Sequence, residues 1–234
     1  MKEYEYVARK EYSPVKREIE HIIKKVKEIM ETEEDISFYY DLIGSGKRHL
    51  ITRLKNGNTG FDFDYNLVIE TPTDFIWRAK EVKLGFIRAF NKALIGTKYK
   101  CAEDSTSAIT IKVVDTQNSK IVHSCDFAII YYLSDDTNDG YKYIRNNKNG
   151  KYTFEIRKVS TNLNAKIDKI ESYWNNGWDI IRDEYLTVKN SNKDADKHSF
   201  VLFLEAVNNV YNQTLQNERK SRTSYGYFFN NSIL

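Results

Sequence analysis

Apolar residues between Val15 and Met30 recur at spacings of three and four positions along the chain. That period places them on one face of an α-helix, so the pattern predicts an amphipathic helix here. Ser13 followed by Pro14 predicts where the helix begins, because serine is a favoured N-cap and proline fits the first helical turn.

Three β-rich runs follow, at residues 36–43, 49–54 and 60–69. Asn56-Gly57-Asn58 separates the last two and predicts a tight turn that joins them as a hairpin. Pro72 ends the third run, and residues 74–94 return to helical spacing.

The second half of the chain changes from strands to helices. Residues 107–114 and 120–133 read as strands around a polar turn, and residues 141–145 and 151–159 read as a further hairpin. Helices are predicted at residues 163–174, 178–189 and 197–215, before a polar tail after Gln216. Because strands come first and helices gather later, the predicted class is α+β rather than alternating α/β.

Composition narrows the classes of function. Mean hydropathy is −0.62, and no apolar run approaches the roughly 20 residues of a membrane span. The first six residues lack the apolar core of a signal peptide, so we expect a cytoplasmic protein without a membrane partner. A net charge of +3 without a basic block does not by itself indicate nucleic acid as a partner. Two cysteines, Cys101 and Cys125, are too few for a disulfide framework or a cysteine zinc site.

Asp62 and Asp64 lie two positions apart in the strand predicted at 60–69. Residues at that spacing point to the same face of a sheet, while Phe61, Phe63 and Tyr65 point to the other. Two carboxylates about 4 Å apart repel each other by roughly 4 kcal/mol at an effective dielectric constant near 20. A divalent cation removes that cost, although a solvent-facing edge of a half-buried strand would give the same alternation.

Asp126 is the one charged residue in the ten-residue stretch 121–130. An isolated carboxylate in an apolar strand needs a partner or a metal ion. Gly44-Ser45-Gly46-Lys47 looks like the end of a phosphate-binding P-loop, but that motif needs glycine five positions before Gly46 and Ser or Thr after Lys47. Aspartate and arginine stand there, so the P-loop interpretation fails.

A glycine-serine turn, an acid pair on the next long strand and a third acid on a later strand resemble the DNA polymerase β-like nucleotidyltransferase superfamily. The matching residues are Gly44-Ser45, Asp62 with Asp64, and Asp126, and the resemblance covers about residues 36–132. Asp62 follows Ser45 by 17 positions (62 − 45), which is longer than in compact members, and the predicted hairpin at 56–58 would absorb the excess.

The resemblance implies a palm-like mixed sheet with flanking helices in residues 1–160 and a helical lobe in residues 161–234 that completes a nucleotide cleft. It implies that the three aspartates bind two Mg²⁺ ions, with Mn²⁺ as an alternative, and that Gly44 and Ser45 contact the phosphates of a nucleoside triphosphate such as ATP. A lysine and a serine from the helical lobe reach the triphosphate in such proteins. Lys189 and Ser199 are the candidates, although a solvated helix end and a helix cap would explain them equally.

Three functions therefore stay open. The first is an enzyme that transfers a nucleoside monophosphate to a hydroxyl of a small molecule, a nucleotide or a protein, with release of pyrophosphate. The second is an enzyme of the same superfamily that extends RNA or makes nucleotide second messengers. The third is a nucleotide-binding module without catalysis, which the three intact acids disfavour. The sequence leaves the acceptor, the base preference and the oligomeric state undetermined.

Overall fold

A computed structural model describes residues 3–70, 78–134, 136, 139–158, 162–194 and 196–230, without the side chains of 222–230. The chain forms two compact units, Met1–Val159 and Ser160–Leu234. None of the helices in the described ranges combines the length and the apolar composition needed to cross a membrane.

The first unit contains nine strands and three helices within the described residues. In chain order they are β1 (Tyr4–Tyr6), α1 (Arg9–Glu33), β2 (Phe38–Ile43), α2 (Gly44–Lys47), β3 (Thr52–Leu54), β4 (Phe61–Ile69), α3 (Ala79–Ala93), β5 (Glu103–Asp104), β6 (Ile109–Asp115), β7 (Lys120–Tyr132), β8 (Tyr141–Asn146) and β9 (Tyr152–Arg157).

The main sheet has the strand order β2-β4-β7-β6-β5, and β8 pairs with the far end of β7 and carries β9. β4 and β7 run parallel at its centre, while its other described pairings are antiparallel. The predicted α+β class with a mixed sheet is therefore confirmed.

Helices α1 and α3 cover one face of this sheet. Alternate residues of β4 and β7, such as Phe63 and Phe127, are buried in one core with apolar residues of both helices. Because side chains alternate along a strand, the intervening residues point to the opposite face. That second face carries the aspartates singled out in the sequence.

Two predictions about the first half of the chain are wrong in detail. Helix α1 begins at Arg9, so Pro14 lies inside it rather than at its start. Tyr12 explains the extension, because its side chain is buried and its hydroxyl group shares a hydrogen bond with Nδ1 of His49 at 3.0 Å. The predicted hairpin between residues 49–54 and 60–69 does not form, since β3 pairs with β1 in a separate two-stranded sheet.

The turn at Gly57 is nevertheless present, because its N–H donates to the carbonyl oxygen of Leu54 at 3.0 Å. The additional residues between Ser45 and Asp62 therefore form a strand that binds the N-terminal segment. The hairpins β6–β7 and β8–β9 form where the sequence predicts them.

The second unit consists of α4 (Asn162–Tyr173), α5 (Gly177–Ser191) and α6 (Ser199–Asn230). Apolar residues from the three helices, among them Ile170, Ile181 and Phe203, form its interior. Helix α6 continues past the predicted end at 215. In the first unit, the prediction that α3 starts at Asp74 concerns residues 71–77, which lie outside the described ranges.

Candidate active site

The strand register brings the three aspartates together on the face of the sheet opposite α1 and α3. Asp64 on β4 lies directly beside Asp126 on β7, and Asp62 lies beside Ser124. Neighbouring strands are about 4.8 Å apart, and partners in such a pair point to the same face. The acid pair and the third acid, distant in sequence, therefore line one surface.

The short helix α2 (Gly44–Lys47), whose first residues form the glycine turn predicted from the sequence, borders this surface on one side. Ile43, the last residue of β2, pairs with Asp64, so Gly44 follows immediately beside the carboxylate. Gly44 has a φ of +61°, and a Cβ atom on it would lie 2.7 Å from Oδ2 of Asp64. Only glycine combines that conformation with such a close approach. The half-buried backbone of the turn therefore lies directly next to the acids, without an intervening side chain.

The next residues of the turn hold it in place. The carbonyl oxygen of Ser45 accepts the N–H of Leu50 at 2.9 Å, and the carbonyl oxygen of Gly44 accepts Nη1 of Arg48 at 3.3 Å. Burial lowers the pKa of Arg48, which is half-buried in this position. The guanidinium group of Arg48 thus lies against the backbone of the glycine turn.

Burial and mutual repulsion make ionisation of the carboxyl groups in this site unfavourable. Burial, followed by the charges of Asp126 and Asp62, raises the pKa of Asp64 to about 6. Burial also raises the pKa of Asp126, a shift that a hydrogen bond from Thr110 and the charge of Lys83 oppose. Carboxylates that disfavour one another's ionisation are stabilised by a cation placed between them.

Hydrogen bonds already position two of the carboxylates. The hydroxyl group of Ser124 donates to Oδ1 of Asp62. The hydroxyl group of Thr110 on β6 donates to Oδ1 of Asp126 at 2.5 Å. Both hydroxyl groups lie on the same face as the acids, because Ser124 pairs with Asp62 and Thr110 pairs with Asp126 in the sheet.

The fit of a divalent cation rests on this set of oxygen ligands. In the described part of the chain no three His, Cys, Asp or Glu side chains already form a ready cage for a metal ion. Mg²⁺ does not require one, because it commonly binds through one or two carboxylates and completes its shell with water and substrate phosphates. Adjacent carboxylates beside a side-chain-free backbone turn fit that mode of binding. The assignment of Asp62, Asp64 and Asp126 as metal ligands stays a prediction.

Lys189 and Ser199 belong to the second unit, where the structure brings them together. Nζ of Lys189 lies 3.1 Å from Oγ of Ser199 and 3.3 Å from the hydroxyl oxygen of Tyr185. They come from two helices, α5 and α6, that pack against each other. Their predicted contact with the triphosphate, and the predicted role of the second unit in a nucleotide cleft, stay predictions.

His123 does not join the acids. It is buried on the helix-covered face of β7, where Nε2 shares a hydrogen bond with the hydroxyl group of Tyr99 at 3.0 Å. Its Nδ1 has no hydrogen-bond partner among the described residues. Cys125, the next residue but one along the same strand, is likewise buried and forms no disulfide bond.

Two residues near the acids were not singled out in the sequence, namely Thr110 and Lys83. Thr110 carries no signal by itself, since threonine is common in strands. Lys83 does carry a signal in the sequence. It occupies a core-facing position of α3, four residues after Ala79 and next to Val82, on the face that also includes Phe86. A lysine at such a position requires partners in the interior.

Comparisons with known proteins establish the fold. No family model matches the chain, and no curated protein matches it in sequence. Vibrio cholerae DncV cyclic AMP-GMP synthase, in complex with the linear intermediate pppA(3′,5′)pG, matches with a TM-score of 0.61 and 10% identity, over 87% of this chain and 67% of that chain. The complex of DncV with nonhydrolyzable GTP matches with a TM-score of 0.59 and 10% identity, over 87% and 68% of the two chains.

A structure from a second organism matches as well. The Bradyrhizobium diazoefficiens CD-NTase CdnG, in complex with GTP, has a TM-score of 0.52 and 11% identity, over 83% of this chain and 65% of that chain. At such low identity the likeness concerns the fold. The chain has the mixed α+β fold of DncV, and the resemblance to nucleotidyltransferases predicted from the sequence is supported at that level.

Proposed function

We propose that this chain is a divalent-metal-dependent nucleotidyltransferase, which transfers a nucleoside monophosphate from a nucleoside triphosphate to a hydroxyl group and releases pyrophosphate. The observation that supports this proposal is the register that places Asp126 beside Asp64, on the face that Asp62 shares and Gly44 borders. The fold shared with DncV and CdnG, whose structures contain nucleotides, gives it further support.

Asp62, Asp64 and Asp126 would hold Mg²⁺ or Mn²⁺ in this proposal. Such ions, when bound, neutralise the charge that develops on the phosphoryl oxygens and activate the attacking hydroxyl group. The chain's own contribution is position and charge, so it requires no nucleophilic side chain.

The residues around the acids have complementary tasks. Gly44 leaves its backbone open so that phosphate oxygens can approach, and the hydroxyl group of Ser45 can donate to them. Asp126 can accept the proton of the attacking hydroxyl group, since burial already raises its pKa. Lys189 would place its positive charge on the triphosphate.

We further propose that the hydroxyl acceptor belongs to a second nucleotide, which makes the product a nucleotide messenger. DncV is a cyclic AMP-GMP synthase, and its structure contains a linear dinucleotide intermediate. The mild net charge of +3 is consistent with small anionic substrates rather than a long polyanion. A small molecule, a protein and an RNA end are the competing acceptors.

One experiment tests both parts. The purified chain is incubated with each α-labelled nucleoside triphosphate, singly and in pairs, with Mg²⁺, and pyrophosphate and labelled products are measured. We expect pyrophosphate release together with linear or cyclic dinucleotides. Asp64→Ala is expected to abolish both, whereas Glu28→Ala, an exposed acid on α1, should keep wild-type activity.

The competing outcomes are distinct. Equal activity in Asp64→Ala would contradict the metal site, and nucleotide binding without turnover would indicate a binding module. A labelled RNA oligonucleotide that becomes longer in a parallel reaction would replace the nucleotide acceptor with RNA. Pyrophosphate release that requires an added small molecule or protein would do the same for those acceptors.

A further inference from the structure

Lys83 is a buried lysine behind the acid face, with only 1% of its side chain exposed. Its Nζ donates to the carbonyl oxygen of Ala108 at 2.8 Å and to that of Ser105 at 3.3 Å. Oδ1 of Asp104 lies 3.4 Å from the same nitrogen and balances its charge. A buried lysine is expensive unless its donors are used, and here they tie α3 to the segment between β5 and β6.

Asp104 is itself held from the β8–β9 hairpin. Its Oδ2 accepts the hydroxyl group of Tyr152 at 2.6 Å and the amide group of Asn146 at 2.9 Å. The segment that follows Asp104 is therefore fixed from two directions, by α3 through Lys83 and by the hairpin through Asp104.

A directed chain of hydrogen bonds leaves this segment and ends on Asp126. The hydroxyl groups of Ser105 and Thr110 lie 2.7 Å apart, and the hydroxyl group of Thr110 lies 2.5 Å from Oδ1 of Asp126. A carboxylate only accepts, so the single proton of Thr110 goes to Asp126. Ser105 must then donate to Thr110.

We propose that Thr110 is a positioning residue for Asp126, and that Ser105, Lys83 and Asp104 hold Thr110 in the orientation this requires. The inference rests on the proposed function, because it assigns a task to a residue that acts through the third acid. Thr110 occupies Oδ1 of Asp126, which leaves Oδ2 without a donor among the described residues and available for a cation or a proton. Groups that orient a metal-binding carboxylate in this way commonly change metal affinity by about 10–100-fold when removed.

Three variants separate positioning from general stability. Thr110→Val removes the hydroxyl group but keeps the branched shape, and Thr110→Ser restores the hydroxyl group. Ser105→Ala removes the donor behind Thr110, and provides a second test in case Thr110→Val folds poorly. Thr153→Val, at an exposed position of β9, is the matched control for a lost strand hydroxyl group.

The main measurement is the thermal unfolding midpoint of the full chain, titrated with Mn²⁺ alone. We expect Thr110→Val to need about tenfold more Mn²⁺ than the wild type for half of the maximal shift. Ser105→Ala should need an intermediate concentration, while Thr110→Ser and Thr153→Val should stay close to the wild type. In pyrophosphate release, Thr110→Val should lower kcat with little change in KM for the nucleotide.

The outcomes distinguish this inference from the proposed function. If the wild type responds to Mn²⁺ and Thr110→Val responds at the same concentrations with the same kcat, the positioning role is wrong while the metal site stands. If the wild type shows neither a Mn²⁺ response nor pyrophosphate release, the proposed function is wrong and this inference with it. Loss of the response in Thr153→Val as well would also overturn it, because the effect would then reflect any lost strand hydroxyl group.

Discussion

Replacement of Gly44 by alanine tests whether the glycine turn serves the acids or only the backbone. Gly44 has a φ of +61°, which costs an L-residue about 1–2 kcal/mol. The new Cβ atom would also lie 2.7 Å from Oδ2 of Asp64, so the carboxylate must rotate away. A side chain forced about 30° from its rotamer loses a further 0.5–1.5 kcal/mol, roughly, which brings the total to about 1.5–3.5 kcal/mol.

Gly96 provides the matched control. Its φ is +77°, and a Cβ atom there would meet no atom of the described residues within 4 Å, apart from those of its chain neighbours. Gly96→Ala should therefore lose only the backbone part, about 1–2 kcal/mol, in urea unfolding at equilibrium. The difference between the two variants isolates the contact with Asp64.

The effects on activity should differ far more than the effects on stability. A carboxylate displaced by about 1 Å commonly costs on the order of 100-fold in rate, so Gly44→Ala should lose about that factor in pyrophosphate release. Gly96→Ala should remain as active as the wild type under conditions where both are folded. If Gly44→Ala and Gly96→Ala have the same kcat/KM, the turn has no role at the acids and the reasoning fails.

Two further predictions concern pH. The folded-state pKa of Asp64, about 6, lies above its ordinary value of 3.8, so its ionisation opposes folding above about pH 6 and ceases to matter below about pH 4. Without divalent cations, Asp64→Asn should therefore be about 3 kcal/mol more stable than the wild type in urea unfolding at pH 8 and equal to it near pH 4, with the exposed-site variant Glu28→Gln measured as the control. Burial, together with the charge of Lys98, lowers the pKa of His123 from 6.5 to about 4. Between these two pH values the unfolded chain protonates this histidine and the folded protein does not. The stability associated with neutral His123 is therefore fully present above about pH 6.5 and is lost as the pH falls toward 4. Because Asp64 affects both proteins alike, the test is their difference: the free energy of unfolding of His123→Phe relative to the wild type should rise by about 3 kcal/mol as the pH falls from 6.5 to 4. Exposed His21→Phe is the control, and a difference that does not change with pH would refute the assignment.

The sequence predicts those features that depend on local pattern. The alternation around Asp62 and Asp64 correctly predicts that Phe63 and Tyr65 are buried, because a period of two is imposed by the strand itself. The lone charge of Asp126 in an apolar strand indicates a polar partner, and the structure provides one in Thr110.

Features that depend on distant parts of the chain were not predictable in the same way. Strand β3 is three residues long and pairs with β1, about 48 positions earlier. Local pattern favours the nearby run at 60–69 as its partner, and the predicted hairpin is therefore wrong. Helix α1 continues back to Arg9 because the tertiary contacts of Tyr12 override the start signal at Ser13. The partners of Lys83 lie more than 20 positions away, beyond any local pattern.

The parallel pairing of β4 with β7 has a consequence for the folding equilibrium. Parallel neighbours cannot be joined by a tight turn, and the intervening chain must form a crossover before the two strands meet. Asp64 and Asp126 are therefore far apart in the unfolded ensemble, and their mutual repulsion is a property of the native state alone. If the proposed cation binds there, it can do so only after the crossover has closed, and raising its concentration would then shift the population toward the native state by mass action.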